Sequence, residues 1–396
     1  MLENLGPLDE GRFADLRVHL GAVPDPRSRH GRWYPLTAIL LMCACAAVSG
    51  ARSIEEVAEF GQRACRSVLA ALGVRRHLLG WRRSPSAVTI GRVLAALDGD
   101  ALDRAVSAYL AGQHRAAESA ATAPSHRVIA VDGKTLKGSA HSGAPGRHLL
   151  SAVTHAPVAT IAQVEVGSKT NETRHFRPLL APLELAGTIV TFDALHSVKA
   201  TITWLVMAKK AHYIAVIKTN QPTTHRQLAA LPWNAIPVQH TASTAAHGRR
   251  ESRSIKTCAI ADNLGGINFP HARLALRLHC RRRSAGQRET RTTVYAVTSL
   301  DAHQASPAGL ANAIRGHWGI ENSSHNIRDV TFAEDASRVH TGTAPRAMAA
   351  FRNLATGALK ILGADNIAKT TRAIRDEPTR ALTILGISNT HTNQGT

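Results

Sequence analysis

Val128-Ile129-Ala130-Val131-Asp132-Gly133 is a short, largely β-branched apolar run that closes on an aspartate and a turn-forming glycine, the signature of a buried strand with an acid at its end. Thr188-Ile189-Val190-Thr191-Phe192-Asp193 repeats the design sixty residues on. Between them, Leu149–Thr154 and Val158–Val166 read as strands separated by Ala156-Pro157. Asn171 is placed to cap a helix that runs to Leu185 and stops at Gly187. A helix over His196–Lys209 and a strand over Tyr213–Lys218 follow.

The order is therefore strand, strand, strand, helix, strand, helix, strand. Three meandering strands followed by two right-handed crossovers predict an α/β fold with a mixed five-stranded sheet and flanking helices, the ribonuclease H-like arrangement. Upstream, the chain reads as helical. A basic turn, Pro24-Asp25-Pro26-Arg27-Ser28-Arg29-His30-Gly31-Arg32, leads to a buried helix over Pro35–Val48 and a second helix from Ser53 through Leu72. After Trp81-Arg82-Arg83-Ser84-Pro85, Ser86 can cap a helix over Ala87–Leu97. These helices fit either a helix-turn-helix that turns Thr89 and Arg92 toward DNA or a packing domain. Downstream of Thr219 the crossover pattern lapses into alternating runs, Ser252–Ile260, Ala272–Cys280 and Thr290–Val297, rich in arginine. A helix then resumes over Pro307–Ile327. The expected organisation is a helical domain over 1–118, the first part of the core over 126–220, a β-rich basic insertion over 221–300, the rest of the core over 301–386 and a tail over 387–396.

Charge narrows the function. The 396 residues carry 48 Lys+Arg against 28 Asp+Glu, a formal charge of +20, which disfavours an ordinary neutral metabolic enzyme and points to a polyanionic partner, for which nucleic acid is the usual choice. The longest apolar run, Leu36–Val48, is too short to span a bilayer. Met1-Leu2-Glu3-Asn4-Leu5 lacks a secretory n-region, so a cytoplasmic, nucleoid-associated protein with no membrane partner is expected. The five cysteines are scattered without a CxxC pair; Cys43 and Cys45 read as core.

The chemistry rests on acids. Parallel neighbours ending on Asp132 and Asp193 would bring two carboxylates to one spot, a hard-oxygen site suited to magnesium or manganese, although Asp before Gly is also an ordinary turn. At helical spacing, Glu321 shares a face with His317, Ser324, His325 and Arg328, either as a ligand among phosphate contacts or as a solvated salt-bridging stripe. Lys134, Lys137 and Lys218, just past strand ends, are either backbone-phosphate contacts or solvated loop lysines. His247, Arg249 and Arg250 are candidate DNA contacts, with a plain turn as the alternative. Trp318 reads as a packing anchor.

Several ordered motifs resemble the DDE transposases of bacterial insertion sequences, in the ISAs-type group that includes the H-repeat-associated proteins. They are Asp25-Pro26-Arg27; Pro85-Ser86 with Thr89-Ile90-Gly91-Arg92-Val93-Leu94; Val131-Asp132-Gly133-Lys134-Thr135-Leu136-Lys137-Gly138-Ser139; Lys169-Thr170-Asn171-Glu172; Asp193-Ala194-Leu195-His196; Lys218 before Asn220-Gln221-Pro222; His247-Gly248-Arg249; and His317-Trp318-Gly319-Ile320-Glu321-Asn322, leading to Asp329-Val330-Thr331-Phe332 and Glu334-Asp335. The resemblance implies a catalytic triad of Asp132, Asp193 and Glu321 holding two Mg2+ or Mn2+ ions, with Asp132 bridging them. It implies binding of terminal inverted repeats, hydrolysis that frees a 3′-hydroxyl, and attack of that hydroxyl on target duplex DNA, with a homodimer holding two ends. Other readings are a ribonuclease H-like nuclease without strand transfer, and a domesticated or inactive DNA-binding derivative. Related transposases carry Tyr, Arg, Glu and Lys at offsets of minus seven, minus four, zero and plus seven; here these are Ile314, His317, Glu321 and Arg328. Glu334 and Asp335 are the competing third carboxylate, with pairing to Arg338 as the plainer account.

Overall fold

The computed structural model describes residues 14–388 apart from 31, 121–125, 142, 168–171, 194–198, 220, 247, 261–266, 268 and 285. The first helices are α1 (Leu16–Leu20), α2 (Leu36–Val48), α3 (Ile54–Arg63), α4 (Arg66–Ala71), α5 (Ala87–Ala96) and α6 (Gly99–Ala120). Next come β1 (Val128–Leu136), β2 (Arg147–Thr154), β3 (Thr160–Val166), α7 (Glu172–Leu180), β4 (Ile189–Asp193), α8 (Lys199–Met207), β5 (His212–Ile217) and α9 (Pro222–Ala229). The strands β6 (His240–Ala246), β7 (Arg249–Ala259), β8 (Leu274–Ser284) and β9 (Thr290–Thr298) precede α10 (Pro307–Ile320), α11 (Asn326–Val330), α12 (Ala344–Ile361), α13 (Ile367–Asp376) and α14 (Thr379–Ile384). The chain divides into two compact units: one takes Met1–Ala123, Gly133–Lys169 and Glu321–Thr396, the other Pro124–Asp132 and Thr170–Ile320.

The first unit is built on α2, which has no polar face. Every residue from Ala38 to Val48 is buried, as expected of a helix apolar all round. It packs against α12, which packs in turn against α6. Small residues make that approach possible: Ala347, Ala350, Ala355 and Ala358 of α12 lie in the same core as Ala38, Ala44, Ala46 and Ala47, and a Cβ on Gly357 would come within 2.9 Å of Leu110. Cys43 and Cys45 are buried here, and burial pushes the Cys43 thiol up to about 12.

Two local expectations need correction. The helix expected from Ser53 to Leu72 is two helices, because Ala64 turns to an extended backbone (ψ 131°) after Ser53 caps the first through Glu56 N. The break lets Phe60 on one segment and Val68 and Leu69 on the next reach one core. A helix-turn-helix is excluded as well. The connection from Leu72 to Ser86 is far longer than the 3–4 residues of that motif, and Thr89 accepts its place in the Ser86 cap, 3.1 Å between hydroxyls.

The second unit supplies the sheet's central register. β1 and β4 are parallel, with Val128 opposite Ile189 and Val131 opposite Phe192; β4 and β5 continue in parallel, and β5 pairs antiparallel with β9. The strands order as β3-β2-β1-β4-β5-β9-β8-β7-β6, so the sheet has nine strands rather than five. The basic segment is thus a continuation of the sheet: β9, β8, β7 and β6 follow one another as antiparallel neighbours, and β6 carries too little apolar patterning to be read as a strand. β1 also runs three residues past Gly133 to Leu136, where a 3-10 turn over Lys137–Ser139 begins.

That turn fits only a glycine. A Cβ on Gly138 would lie 2.6 Å from the Glu334 carbonyl oxygen and 2.7 Å from that of Ser337, both backbone atoms that cannot swing aside. Gly138→Ala is expected to cost about 1–3 kcal/mol through overpacking, read as a lower urea midpoint at unchanged m-value.

Candidate functional site

In the second unit the register of β1 and β4 sets Asp132 and Asp193 at the next matching positions after Val131 and Phe192, on neighbouring parallel strands and on the same sheet face. Asp193 is about two-thirds withdrawn from solvent, its side chain 30 % exposed. Lys218, just past β5, donates to its Oδ2 at 2.6 Å. Its Oδ1 has no hydrogen-bond partner, and His317 Nε2 stands 3.6 Å from it. Burial opposes the charge on Asp193, but His317 and Lys218 outweigh it and hold the carboxyl down at about 2. His317, 6 % exposed, is itself fixed from the other side by Thr191, whose hydroxyl lies 3.2 Å from Nδ1.

α10 brings His317 there on the same face that it buries, since Leu310, Ala313 and Ile314 stand seven, four and three residues before it. Leu310, Ala313 and Ile314 enter the core formed with Ile189, Ile214, Val216 and Leu276, and Trp318 packs against that core as expected. Ile314 is fully buried among these side chains, which accounts for an apolar residue seven positions before Glu321.

Glu321 opens the segment assigned to the first unit and is exposed. The chain stays helical through Ile327 as expected, but Glu321–His325 form a π-helical turn between α10 and α11. The expected stripe at 3.6-residue spacing therefore fails beyond Glu321, since a π-turn shifts each later side chain around the axis. Ser324 is buried. His325 is kept neutral, burial foremost and then the charges of Arg328 and Lys134 pushing it down to about 3.

The lysines and arginines past these positions are mostly committed to ion pairs. Arg328, only 2 % exposed, sits 2.7 Å from the buried Glu334, and Arg352 reaches the same carboxylate at 3.1 Å. A phosphate contact by Arg328 is thereby corrected to a structural role. Glu334 and Asp335 pair with Arg328, Arg352 and Lys137, in place of the expected Arg338. Lys134 donates to both oxygens of Asp329, at 2.7 and 2.8 Å, and is 9 % exposed. Lys137, 75 % exposed, holds Asp335 at 2.8 Å. His247 lies outside the described residues, as do Lys169, Thr170, Asn171, Ala194, Leu195, His196 and Asn220. Among the described residues no three His, Cys, Asp or Glu side chains form a ready metal cluster.

Sequence reasoning missed the polar chain that leaves Glu334. Arg328 donates to Asn353, Asn353 to Gln163 (2.8 Å), and Gln163 to Asp103 (2.8 Å); Arg346 then donates to Asp103 at 2.7 Å. Burial raises Asp103 to about 7 against the pull of Arg346. The signal was present: Arg346, Arg352 and Asn353 interrupt an otherwise apolar helix, and buried arginines need carboxylates.

The basic strands sort by face. Directly opposed residues share a face, so Arg250 with Arg283, Ser252 with Arg281, and Arg281 with Arg291 define one side. On the other, Glu251 is ringed by Arg249 (3.0 Å), Arg253 and Arg282. Burial works against that carboxylate's charge, while the Cys280 thiol and these arginines lower its pKa overall. Glu289, just before β9, pairs with Arg291 of the first side at 2.7 Å.

Comparison with known proteins agrees with these motifs. A family model described as "Transposase DDE domain" matches residues 123–356, and one described as "DDE_Tnp_1-associated" matches residues 17–110. "Putative transposase YncI" of Escherichia coli O157:H7 is 26% identical over 86% of this chain and 86% of its own. "H repeat-associated putative transposase YhhI" of Escherichia coli K12 is 27% identical over 89% of this chain and 92% of its own. A piggyBac transposase synaptic complex with hairpin DNA aligns at a TM-score of 0.34 and 8% identity over 95% of this chain and 84% of that one, too distant for the two folds to be equated.

If Glu334 is the buried counter-ion of two arginines, Glu334→Gln leaves both uncompensated and is expected to cost about 3–5 kcal/mol. Asp335→Asn, which loses a pair to an exposed lysine, should cost no more than about 1 kcal/mol. Chemical unfolding of both variants checks the contrast; equal costs would remove Glu334 from this role.

Proposed function

Because the chain belongs to the family of transposase DDE domains, we propose that it binds the terminal inverted repeats of an insertion sequence, cleaves DNA there to free a 3′-hydroxyl, and joins that hydroxyl to a target duplex. The observation that carries the reading is the parallel register of β1 and β4, which pairs Val131 with Phe192 and so sets Asp132 and Asp193 at the next matching positions of neighbouring strands. Both are hard oxygen donors, and Asp193 keeps a buried oxygen without a hydrogen bond, which fits a divalent cation. Asp132, Asp193 and Glu321 would hold magnesium or manganese, two ions in all. Bound there, such ions supply Lewis-acid stabilisation of charge on phosphoryl oxygens.

The remaining work falls to the chain itself. Lys218 orients Asp193 through Oδ2 and leaves Oδ1 facing away from that bond. His317, braced by Thr191, favours the ionised carboxylate. The face carrying Arg250, Arg281, Arg283 and Arg291 follows the DNA backbone, where guanidinium groups suit phosphate oxygens. Arg249 contributes less, being spent on Glu251. Two ends must be held during joining, so the reading includes a second copy of the chain. Among the described residues no helix is long and apolar enough to cross a membrane.

Asp132→Asn, Asp193→Asn and Glu321→Gln are each expected to abolish magnesium-dependent release of a labelled 3′ end while leaving DNA binding in place, because the amide keeps the shape and loses the charge that retains a cation. Cleavage that persists in Glu321→Gln would move the third ligand elsewhere. Binding supplies a separate check. Arg250→Ala and Arg283→Ala should each reduce the slope of log affinity against log salt by about one unit, whereas Arg253→Ala, which is turned toward Glu251, should leave it unchanged. Identical slopes for all three would remove the face assignment.

A further inference from the structure

The connection between α4 and α5 carries the most exposed apolar residues of the first unit. Leu78 is 100 % and Leu79 80 % exposed, and Trp81 (38 %) and Trp33 (42 %) stand beside them. Single exposed leucines are ordinary, but two at one tip flanked by indoles are a contiguous apolar feature. The tip is also held in shape. His77 N donates to the Trp81 carbonyl and Gly80 N to the His77 carbonyl, both at 2.8 Å, which closes a narrow turn. Leu79 N donates to His77 Nδ1 at 3.2 Å. The His77 ring stacks on Trp81, 4.1 Å between centroids and 9° between planes, and Trp33 lies 5.9 Å from the same ring. Gly80 takes φ +85°, which a side chain would resist. Arg82 anchors the base of the turn to the Val74 carbonyl. An exposed apolar tip with this many internal restraints loses little entropy on being inserted into something.

Its surroundings say what that something is. From Phe60 to Leu97 the chain has seven arginines and no aspartate or glutamate. Arg75, Arg76 and Arg83 are exposed on either side of the turn. The partner must therefore be anionic along its flanks and offer apolar faces between them. A duplex does both, with phosphates along the backbones and stacked base pairs between. A two-residue tip is narrow enough for the minor groove, about 6 Å wide, where leucine wedges unstack base steps and bend the helix.

We propose that Leu78 and Leu79 form a wedge that enters the DNA minor groove and opens a base step, with Arg75, Arg76 and Arg83 holding the adjoining phosphates. The proposal rests on the reading of DNA as the partner and adds a second contact surface, far in sequence from the arginine-bearing strands, whose task is to deform the duplex. Pyrimidine–purine steps, the easiest to unstack, are its preferred targets.

The experiment uses the full chain and a linear duplex with 2-aminopurine at TpA steps, a base whose fluorescence rises when it is unstacked. Wild-type protein should raise the signal on binding. Leu78→Ser with Leu79→Ser removes only exposed side chains, so folding is retained, and should return the signal to that of free duplex with the salt slope of binding unchanged. Arg75→Ala, Arg76→Ala and Arg83→Ala should instead each reduce that slope by about one unit. Steep salt-dependent binding without a fluorescence rise, or a rise that survives the double leucine variant, overturns the wedge and leaves the transposase reading standing. Absence of salt-dependent binding overturns both. Loss of self-association in sedimentation of the leucine variant, with its DNA signal intact, assigns the tip to a second copy and likewise overturns the proposal.

Discussion

A single carboxylate, 1 % exposed, joins two helices of the first unit. Glu334 lies between Arg328 of α11 and Arg352 of α12, and all three side chains are out of solvent. Charges buried this deeply are costly unless each finds its partner in good geometry. Here the cost is offset by spreading the pairing onward through Asn353, Gln163, Asp103 and Arg346, so that strand β3 and helices α6, α11 and α12 are ordered by one continuous polar chain. Beside it, Lys134 and Lys137 tie the end of β1 to Asp329 and Asp335. An acidic and basic motif that reads like a nucleic-acid contact is, for the most part, internal bracing.

How much of this was legible in the sequence differs by element. The apolar runs that lead to Asp132 and Asp193 are strands because a buried strand leaves little choice of residue, and their parallel pairing follows once a crossover lies between them, although β1 continues past the expected turn at Gly133 to Leu136. The sheet's extent was not legible. β6, His-Thr-Ala-Ser-Thr-Ala-Ala, is small and polar, and its strand character comes from pairing with β7 rather than from its own composition. The helical span Pro307–Ile327 is legible, but the π-turn within it and the rotated phase of the side chains after Glu321 are not, because a π-turn is a change of hydrogen-bond partner that residue types scarcely signal. Burial, too, was hidden: Arg328 looks like a surface cation until Glu334 and Arg352 are known to lie against it.

The arginine-rich strands teach a related point about charge. A count of arginines suggests one basic patch, yet the two-residue period of a strand divides them into two populations. Those around Glu251 serve the fold, while Arg250 stands opposite Arg283 and Arg281 opposite Arg291, with Arg291 alone of these four paired to an acid, Glu289, among the described residues. Like charges directly opposed in a sheet are destabilising on their own.

The interleaving of the two units bears on how the chain reaches its native state. The second unit closes by Ile320, whereas the first, begun at the N-terminus, has its core completed by α12, α13 and α14 at the other end. During synthesis, α2 therefore emerges without the helix that covers it and must wait for some three hundred residues to be translated. Contacts of such long sequence separation form slowly and leave apolar surface open meanwhile. A chain that stops between Ile320 and Ala344 would hold every strand of the sheet yet leave α2 without the helix that covers it, so the apolar surface of α2 would stay open to aggregation and proteolysis.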